Sequence, residues 1–254
     1  MKEAVVVTGA SRGIGRSLAL QFAARGHPLV LAARNGPELM RVASEAKVDC
    51  KVVECDLATP EGRAALFAAS PPTIGGLVNN AGFGTAGEFA SLDRARELLM
   101  LRVNCEAVVD LCHLFLPRLG AGSFIVNLAS TAAFQPVPLF ATYSASKAFV
   151  LSLSEALAEE LAPRGIHVMA LCPGVTETGF QKEADVSIGG EKPEDVAAYA
   201  LRALDAGRRV AVHGVKNALM IQSQRLSPRR ITVKVARRIM LPWFKDRKAS
   251  TASG

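Results

Sequence analysis

Short apolar runs alternate with longer segments of mixed polarity along the whole chain. Seven runs rich in valine, isoleucine and leucine have the length of buried strands: residues 4–7, 29–32, 52–55, 77–78, 124–128, 168–171 and 210–212. Runs that are continuously apolar are typical of strands covered on both faces. Helix-length segments between them include residues 16–24, 94–116, 142–161 and 194–206, the last preceded by Pro193 as a start signal.

This alternation predicts an α/β fold, with one doubly wound parallel sheet of about seven strands and helices on both faces. The chain has 254 residues, of which 50% are hydrophobic, so it can bury a substantial core. The sequence has no internal repeat, no linker rich in Pro, Gly or Ser, and no low-complexity segment before residues 249–254. A single domain is therefore expected.

The apolar runs are too short to cross a membrane, because none approaches the roughly 20 residues that a spanning helix requires. Met1 leads almost directly into the first strand-like run, which leaves no room for a signal peptide. Both observations favour a cytoplasmic protein.

Cysteine and histidine are scattered along the sequence. The five cysteines include no C-x-x-C pair, and the four histidines have no metal-ligand spacing. These residues are Cys50, Cys55, Cys105, Cys112, Cys172, His27, His113, His167 and His213. We expect reduced, buried thiols, no disulfide and no metal site.

The positive charge is concentrated towards the end of the sequence. The formal net charge is +7, and residues 216–248 contain ten Lys or Arg and one acid, Asp246. The rest of the chain is about neutral, since it holds the other 20 of 30 basic and 22 of 23 acidic residues. We therefore expect a main domain over residues 1–215 and a basic extension of that domain over residues 216–254.

Residues 229–243 within this extension predict an amphipathic helix. On a helical wheel, one side carries Ile231, Val235, Ile239, Met240 and Trp243, and the opposite side carries Arg230, Lys234, Arg237 and Arg238. Such a helix suits an anionic membrane surface, an acidic partner such as a carrier protein, or a cover over a substrate pocket. A terminal helix packed on its own domain or on a twin subunit, with its charges in water, accounts for the same pattern.

A glycine-rich turn connects the first strand to a helix. It reads Thr8-Gly9-Ala10-Ser11-Arg12-Gly13-Ile14-Gly15, with the spacing Gly-x-x-x-Gly-x-Gly. Glycines allow a tight turn and close backbone approach, while the N–H groups and dipole at the helix start attract a pyrophosphate. The turn predicts a dinucleotide site, although glycine in such a loop also serves purely steric needs.

The end of the second strand indicates which dinucleotide binds. Sites for NAD usually carry an acid about 20 residues after the glycines, where it holds the ribose 2′-hydroxyl. No acid occurs between Gly15 and Glu38, whereas Arg34 stands at the strand end and Arg12 within the turn. Two guanidinium groups there favour a 2′-phosphate and hence NADP(H). The alternative is that Arg34 is a solvated loop residue.

Two further strand ends carry residues suited to a nucleotide. Asp56 follows the third strand and could accept a hydrogen bond from adenine, and Asn79-Asn80-Ala81-Gly82 follows the fourth and could bring backbone close to the nucleotide. Each is also ordinary turn chemistry.

Ser130, Tyr143 and Lys147 form a candidate catalytic set. Ser130 follows a strand at the edge where open α/β sheets bind ligands, and Tyr143 and Lys147 share a helix face at positions i and i+4. Reduction of a carbonyl needs a proton at oxygen, and a free tyrosine with a pKa of about 10 is a poor base for the reverse step. The Lys147 ammonium and a positive nicotinamide ring would lower the pKa of Tyr143, while the Ser130 hydroxyl holds the substrate oxygen.

These motifs resemble the short-chain dehydrogenase/reductase family in their order and spacing. The resemblance covers roughly residues 3–215 and rests on Thr8-Gly9-x-x-x-Gly13-x-Gly15, Asn79-Asn80-Ala81-Gly82, Asn104, Ser130, Tyr143-x-x-x-Lys147 and Pro173-Gly174. It implies a Rossmann-like fold, a nicotinamide cofactor and assembly as a homodimer or homotetramer.

The resemblance also implies roles for individual residues. Tyr143 would be the general acid/base, Lys147 would bind the nicotinamide ribose, and Ser130 would orient the substrate. Asn104 would hold a water that connects Lys147 to solvent, the alternative being a polar residue that caps helix packing. The expected cofactor contacts are Gly9, Ser11, Arg12, Gly13, Ile14, Gly15, Arg34, Asp56, Leu57, Asn80, Ala81, Gly82, Tyr143, Lys147, Pro173, Gly174, Thr176 and Thr178.

Apolar residues near the catalytic set are candidates for a substrate pocket, or else for core. They are Phe134, Val137, Leu139, Phe140 and Phe180. We therefore expect an NADP(H)-dependent oxidoreductase acting on a carbonyl or secondary alcohol of a mainly apolar small molecule, with no nucleic-acid partner. The alternatives are a carrier- or membrane-associated 3-oxoacyl or lipid reductase, and a cofactor-sensing protein without turnover, against which the complete proton-transfer set argues.

Overall fold

The computed structural model describes residues 2–177, 190–225 and 227–241. Thr178, Phe180 and Trp243, named above from the sequence, lie outside these ranges. None of the helices within them combines the length and the apolar composition that crossing a bilayer requires.

Seven parallel strands form one sheet. They are β1 Val5–Thr8, β2 Leu29–Ala33, β3 Cys50–Glu54, β4 Gly76–Asn79, β5 Phe124–Leu128, β6 His167–Cys172 and β7 Val210–Val212. Their order across the sheet is β3-β2-β1-β4-β5-β6-β7, and every adjacent pair is parallel. The predicted doubly wound, Rossmann-like sheet is confirmed, with strand ends within two residues of the expected ones.

Nine α-helices lie in the described ranges. They are α1 Gly13–Ala24, α2 Gly36–Ala46, α3 Pro60–Ala69, α4 Arg94–Leu101, α5 Ala107–Phe115, α6 Ala141–Leu161, α7 Pro193–Asp205, α8 Val215–Arg225 and α9 Arg229–Met240. The helix predicted over 94–116 is present as an unbroken helical run over 94–115, in which a π-helical segment, Arg102–Glu106, lies between α4 and α5. Side chains cap three of the shorter helices at their N-termini: Asn35 caps α2, Thr59 caps α3 and Asp93 caps α4.

The sheet carries one hydrophobic core on each face, because alternate residues of a strand point to opposite sides. On one face, Val6 of β1 belongs to a cluster that includes Leu111 of α5. On the other face, Val7 belongs to a cluster with Leu18 of α1 and Val196 of α7. Helices therefore cover both faces, which explains why the strands are continuously apolar in sequence.

The order in which the chain adds strands to the sheet changes direction at β1, because β2 lies on one side of β1 and β4 lies on the other. Open parallel sheets bind ligands outside the carboxyl ends of their strands at such a point. The glycine turn follows β1 here, Asn80 follows β4, and Ser130 follows β5. The topology thus gathers three predicted motifs at one edge of the sheet.

Helix α9 buries only part of the apolar side that the helical wheel predicts to face the rest of the protein. Thr232 and Ala236 are buried, and Met240 packs against Val137 and Phe140. The exposed apolar residues are Ile231, Val235 and Ile239, at 54%, 48% and 51% of their full exposure. The buried face therefore lies beside the exposed apolar residues rather than coinciding with them.

The five cysteines are free thiols. Cys55, Cys112 and Cys172 are buried, as expected, whereas Cys50 and Cys105 are half-buried. Within the described ranges, no three His, Cys, Asp or Glu side chains come together as a metal site would need.

Candidate active site

A cleft of about 960 Å³ opens at the carboxyl edge of the sheet. Most of the predicted site residues line it: Gly9, Ser11, Arg12, Gly13, Ile14, Arg34, Asp56, Leu57, Asn80, Ala81, Gly82, Ser130, Tyr143, Lys147, Pro173, Gly174 and Thr176. Gly15 and Asn104 lie outside its lining, and Thr178 lies outside the described residues. One continuous cleft therefore holds both the predicted cofactor residues and the predicted catalytic set.

The glycines of the turn do two different things. Gly9 and Gly13 have φ angles of 63° and 57°, in the left-handed region that other residues rarely adopt. At Gly15 a Cβ atom would lie 2.3 Å from the carbonyl oxygen of Gly9. Gly15 therefore allows α1 to pack directly against the turn, and its contact with a cofactor stays a prediction.

Hydrogen bonds tie the turn to the end of β4. The Thr8 hydroxyl donates to the carbonyl of Val78 at 3.1 Å and accepts from the backbone N–H groups of Asn80 and Ala81 at 2.9 and 3.0 Å. The Asn80 side chain donates to the carbonyl of Thr8 at 2.9 Å. The Asn80-Ala81-Gly82 motif thus holds the glycine turn in place as well as lining the cleft.

Arg12 and Arg34 both line the end of the cleft next to β1 and β2. Arg34 is exposed and forms no ion pair within the described ranges. Glu38 also lines this end of the cleft, a position that the sequence did not indicate. Its carboxylate forms an ion pair with the Arg41 guanidinium at 2.8 Å. Because Glu38 is paired with Arg41, the charge that this end of the cleft leaves unpaired within the described ranges is that of Arg34.

The loops after β3 and β6 are fixed by local hydrogen bonds beside the cleft. The Asp56 carboxylate accepts from the backbone N–H of Ala58 at 3.0 Å, which is turn geometry. The Thr176 hydroxyl donates to the carbonyl of Gly174 at 3.2 Å. Both loops therefore present fixed backbone to the cleft.

Ser130, Tyr143 and Lys147 meet in the cleft as the sequence predicts. The Ser130 and Tyr143 hydroxyls are hydrogen bonded to each other. The Lys147 ammonium nitrogen lies 5.8 Å from the centre of the Tyr143 ring and donates to the carbonyl of Leu128 at 2.7 Å. Helix α6 supplies the tyrosine and the lysine one turn apart, and the end of β5 supplies the serine.

Burial dominates the protonation of this set. It raises the pKa of Tyr143 to about 12, against a smaller lowering by the hydrogen bond from Ser130. Burial also lowers the pKa of Lys147 to about 8, although the nearby thiols of Cys105 and Cys172 act in the opposite direction. Tyr143 is therefore a neutral phenol at physiological pH, suited to donating a proton. The lowering of the Tyr143 pKa by Lys147 and a nicotinamide ring stays a prediction for the cofactor-bound protein.

Asn104 lies in the π-helical segment and is 1% exposed. Its Oδ1 accepts from the backbone N–H of Phe83 at 3.1 Å, while its Nδ2 donates to the Phe83 carbonyl at 2.9 Å and to the Ser146 hydroxyl at 3.1 Å. This residue therefore anchors the loop after β4, and the water expected beside it stays a prediction. A Cβ on Gly82 would lie 2.9 Å from Asn104 Oδ1 and 3.6 Å from Lys147 Nζ, so glycine lets both side chains approach that loop.

The other half of the cleft is mostly apolar. Its apolar lining comprises Phe83, Leu99, Val103, Val137, Phe140, Val175, Met220, Ala236, Ile239 and Met240. Val137 and Phe140 line the cleft, as one of the two expected roles requires, whereas Phe134 and Leu139 lie outside its lining. Phe134 packs against the core, and Leu139 takes a left-handed backbone shape with its carbonyl bonded to the Gly87 N–H.

Helices α8 and α9 supply lining residues that the sequence motifs did not reveal. Met220 comes from α8, and Ala236, Ile239 and Met240 come from α9. The available signal was the amphipathic pattern of α9, which included Ile239 and Met240 and for which covering a pocket was one of the predicted uses.

The fold and the site together are those of the dinucleotide-binding oxidoreductases. More particularly, a family model described as short chain dehydrogenase matches residues 3–187. This chain therefore belongs to the short-chain dehydrogenase/reductase family, whose members act on alcohol or carbonyl groups.

Individual relatives differ in the substrate and cofactor that their names give. Sulfoacetaldehyde reductase from Chromohalobacter salexigens is 35% identical over 208 residues, which are 78% of this chain and 81% of that protein. A solved short-chain dehydrogenase from Sphingobium yanoikuyae, in complex with NADPH, is 31% identical with a TM-score of 0.78, over 88% of this chain and 94% of that one. The solved 3-ketoacyl-(acyl-carrier-protein) reductase from Brucella melitensis, complexed with NADH, is 30% identical with a TM-score of 0.74, over 83% and 95%.

Proposed function

We propose that this protein is an NADP(H)-dependent oxidoreductase that interconverts a carbonyl and a secondary alcohol on a mainly apolar small molecule. The observation that carries the proposal is the hydrogen-bonded Ser130–Tyr143 pair, with Lys147 beside it, in the same cleft as the glycine turn. A binding protein without turnover has no need of such a proton-transfer set.

The turn at the start of α1 fits a dinucleotide. The free N–H groups of the first helical turn favour a pyrophosphate, and Gly9 and Gly13 leave its approach open. The backbone around Asn80, Gly174 and Thr176 would hold the rest of the cofactor, with Lys147 at its nicotinamide ribose. When bound, the nicotinamide supplies or accepts the hydride.

The preference for NADP(H) rests on Arg12 and Arg34. Two guanidinium groups at the end of β1 and β2 suit a 2′-phosphate, and the carboxylate of Glu38 is offset by Arg41. The related structures hold NADPH in one case and NADH in another, so the preference is argued from these side chains alone.

Ser130 and Tyr143 would act together on the substrate oxygen. The neutral phenol of Tyr143 donates its proton to the oxygen as it gains charge, and the Ser130 hydroxyl holds that oxygen by a hydrogen bond. The Lys147 ammonium favours the phenolate that remains. Because Tyr143 is protonated at neutral pH, it enters the reduction as the proton donor.

The apolar half of the cleft sets the substrate class. Its lining favours a hydrophobic body next to the reacting carbonyl rather than a highly charged sugar. Met220 and Met240 come from the extension over residues 216–254, which we therefore treat as part of the same domain as residues 1–215.

A shallow groove elsewhere supports assembly as a homodimer or homotetramer. It is lined by Leu98, Leu101, Cys105 and Phe149 among others, and Leu98 and Phe149 are 41% and 42% exposed. Burying such a surface against a second copy would remove apolar area from water. Light scattering of the purified protein checks this, since a monomeric mass at working concentration would exclude it.

The activity is tested by following the oxidation of NADPH and NADH across aromatic ketones, steroids, acyl thioesters and small sugars. We expect NADPH-dependent reduction of apolar ketones, together with tighter binding of NADPH than of NADH. Cofactor binding without turnover of any carbonyl would point to a sensor instead. Turnover confined to acyl groups on a carrier would favour the carrier-dependent reductase.

A further inference from the structure

Helix α9 presents a line of apolar side chains to its surroundings. Ile231, Val235 and Ile239 are spaced four residues apart and so lie along one side of the helix. Each remains about half exposed, with values of 54%, 48% and 51%. We call these three residues the α9 stripe. Apolar residues scattered singly on a surface are ordinary, but an aligned row on one helix indicates a binding surface.

Cations lie beside the α9 stripe. Successive residues of an α-helix are about 100° apart around its axis, which places these cations on the side of α9 next to the stripe and opposite the buried face. They are Arg230, Lys234, Arg237 and Arg238, all of them exposed. Neither α8 nor α9 contains an Asp or Glu, and none of the four forms an ion pair within the described part of the chain. The surface therefore combines apolar area with positive charge that no acidic side chain of the described ranges pairs.

The α9 stripe also runs into the mouth of the cleft. Ile239 belongs to the stripe and lines the cleft at the same time. Its neighbours Ala236 and Met240 line the cleft from the same helix, and Met220 does so from α8. An apolar path therefore leads from the exposed side of α9 to the cleft.

We propose that α9 docks this protein on an anionic lipid surface, with the cleft mouth turned towards the lipid. The α9 stripe would enter the boundary between headgroups and acyl chains, while the adjacent cations meet lipid phosphates. A bilayer offers apolar area and negative charge side by side over its whole surface, which is the combination that α9 presents. Entry of a lipophilic substrate from the lipid into the cleft follows from this placement and rests on the function proposed above.

Sedimentation with vesicles tests the docking without any need for turnover. The full chain is mixed with phosphatidylcholine vesicles, with or without phosphatidylglycerol. We expect it to sediment with the anionic vesicles only, and to be released as salt rises from about 0.1 to about 0.5 M. Protein that stays in the supernatant with anionic vesicles would overturn the proposal.

A matched pair of variants assigns the docking to α9. Val235→Glu places a charge in the stripe without altering the cleft lining, and Met40→Glu makes the same change at a residue of α2 that is 61% exposed. We expect Val235→Glu to weaken vesicle binding by about tenfold or more, and Met40→Glu to leave it within about twofold. Both variants should keep their melting temperature and their affinity for NADPH. Equal sedimentation of the two variants would show that the stripe does not dock.

Substrate entry has its own measurement. Val235→Glu should slow the reduction of a ketone held in vesicles by about the same factor as it weakens vesicle binding, yet leave a water-soluble ketone unaffected. Equal slowing of both ketones would contradict entry from the lipid. If the unaltered protein reduces neither ketone, the proposed function fails, whereas the sedimentation result still decides the docking.

Discussion

The ammonium nitrogen of Lys147 donates a 2.7 Å hydrogen bond to the carbonyl oxygen of Leu128, the last residue of β5. This bond fixes the lysine at the strand end from which the chain continues to Ser130, next to the phenol of Tyr143. The same burial that fixes it lowers its pKa to about 8. Lys147 therefore loses its proton at a pH at which an exposed lysine is still fully charged.

The rate of reduction should depend on that proton. The ammonium is present below the Lys147 pKa and is lost above it, so we expect kcat/KM for reduction to be level below about pH 7 and to fall above pH 8 or so. Tyr143, with a pKa of about 12, stays protonated throughout this range and cannot cause the fall.

The matched variant for this pH profile is Lys147→Arg, which keeps its charge at every accessible pH. Its overall rate should be lower because the guanidinium has a different shape, but the fall near pH 8 should disappear. A profile that still falls near pH 8 in Lys147→Arg would assign the titration to another group.

The phenol of Tyr143 can be removed with little change in shape. Tyr143→Phe should bind NADPH with nearly unchanged affinity and lose about 10²- to 10⁴-fold in kcat, which is the usual contribution of a positioned proton donor. The control is Tyr199→Phe, since the chain has only two tyrosines and Tyr199 packs against His213 outside the cleft lining. Substantial turnover by Tyr143→Phe would remove the proposed mechanism.

The sequence predicts the sheet well because its strands are buried on both faces and so read as uninterrupted apolar runs. It also predicts the helical run over 94–116, but not that Arg102–Glu106 within this run forms a π-helix. That segment carries Asn104, whose side chain bonds to the backbone of Phe83, 21 positions away. A contact at that sequence distance leaves no local periodicity to detect.

The two halves of the site were predictable to different extents. The polar half is built from short motifs at strand ends, such as the turn from Gly9 to Gly13 and the pair Tyr143 and Lys147, so spacing reveals it. The apolar half depends on how α8 and α9 pack over the cleft. No local pattern distinguishes a leucine or methionine that lines a cleft from one in the core, which is why Met220 was not found.

The preference between the two cofactors should depend on Arg34. Its loss by Arg34→Ala removes charge-assisted hydrogen bonds to a 2′-phosphate, each worth about 1.5–3 kcal/mol, so the Kd for NADPH should rise by roughly 10- to 100-fold. The Kd for NADH should hardly change, because that cofactor lacks the phosphate.

Isothermal titration with both cofactors measures these affinities. Arg94→Ala serves as the control, because it removes the same charge from an exposed site on α4 that does not line the cleft. If Arg34→Ala weakens NADH and NADPH equally, Arg34 does not read the phosphate.

The close packing of α1 against the glycine turn predicts a sharp effect of one added methyl group. In Gly15→Ala, the new Cβ would lie 2.3 Å from the carbonyl oxygen of Gly9, so the turn or the helix must shift. Overpacking of this kind costs about 1–3 kcal/mol, which for a chain of this size lowers the melting temperature by roughly 2–12 °C. Gly120→Ala is the control, since a Cβ there meets nothing within 4 Å. We expect Gly15→Ala alone to lose both thermal stability and NADPH affinity, as followed by thermal denaturation and cofactor titration, because the displaced turn is the one that lines the cleft. Unchanged melting and binding in Gly15→Ala would mean that α1 can retreat from the turn without disturbing the site.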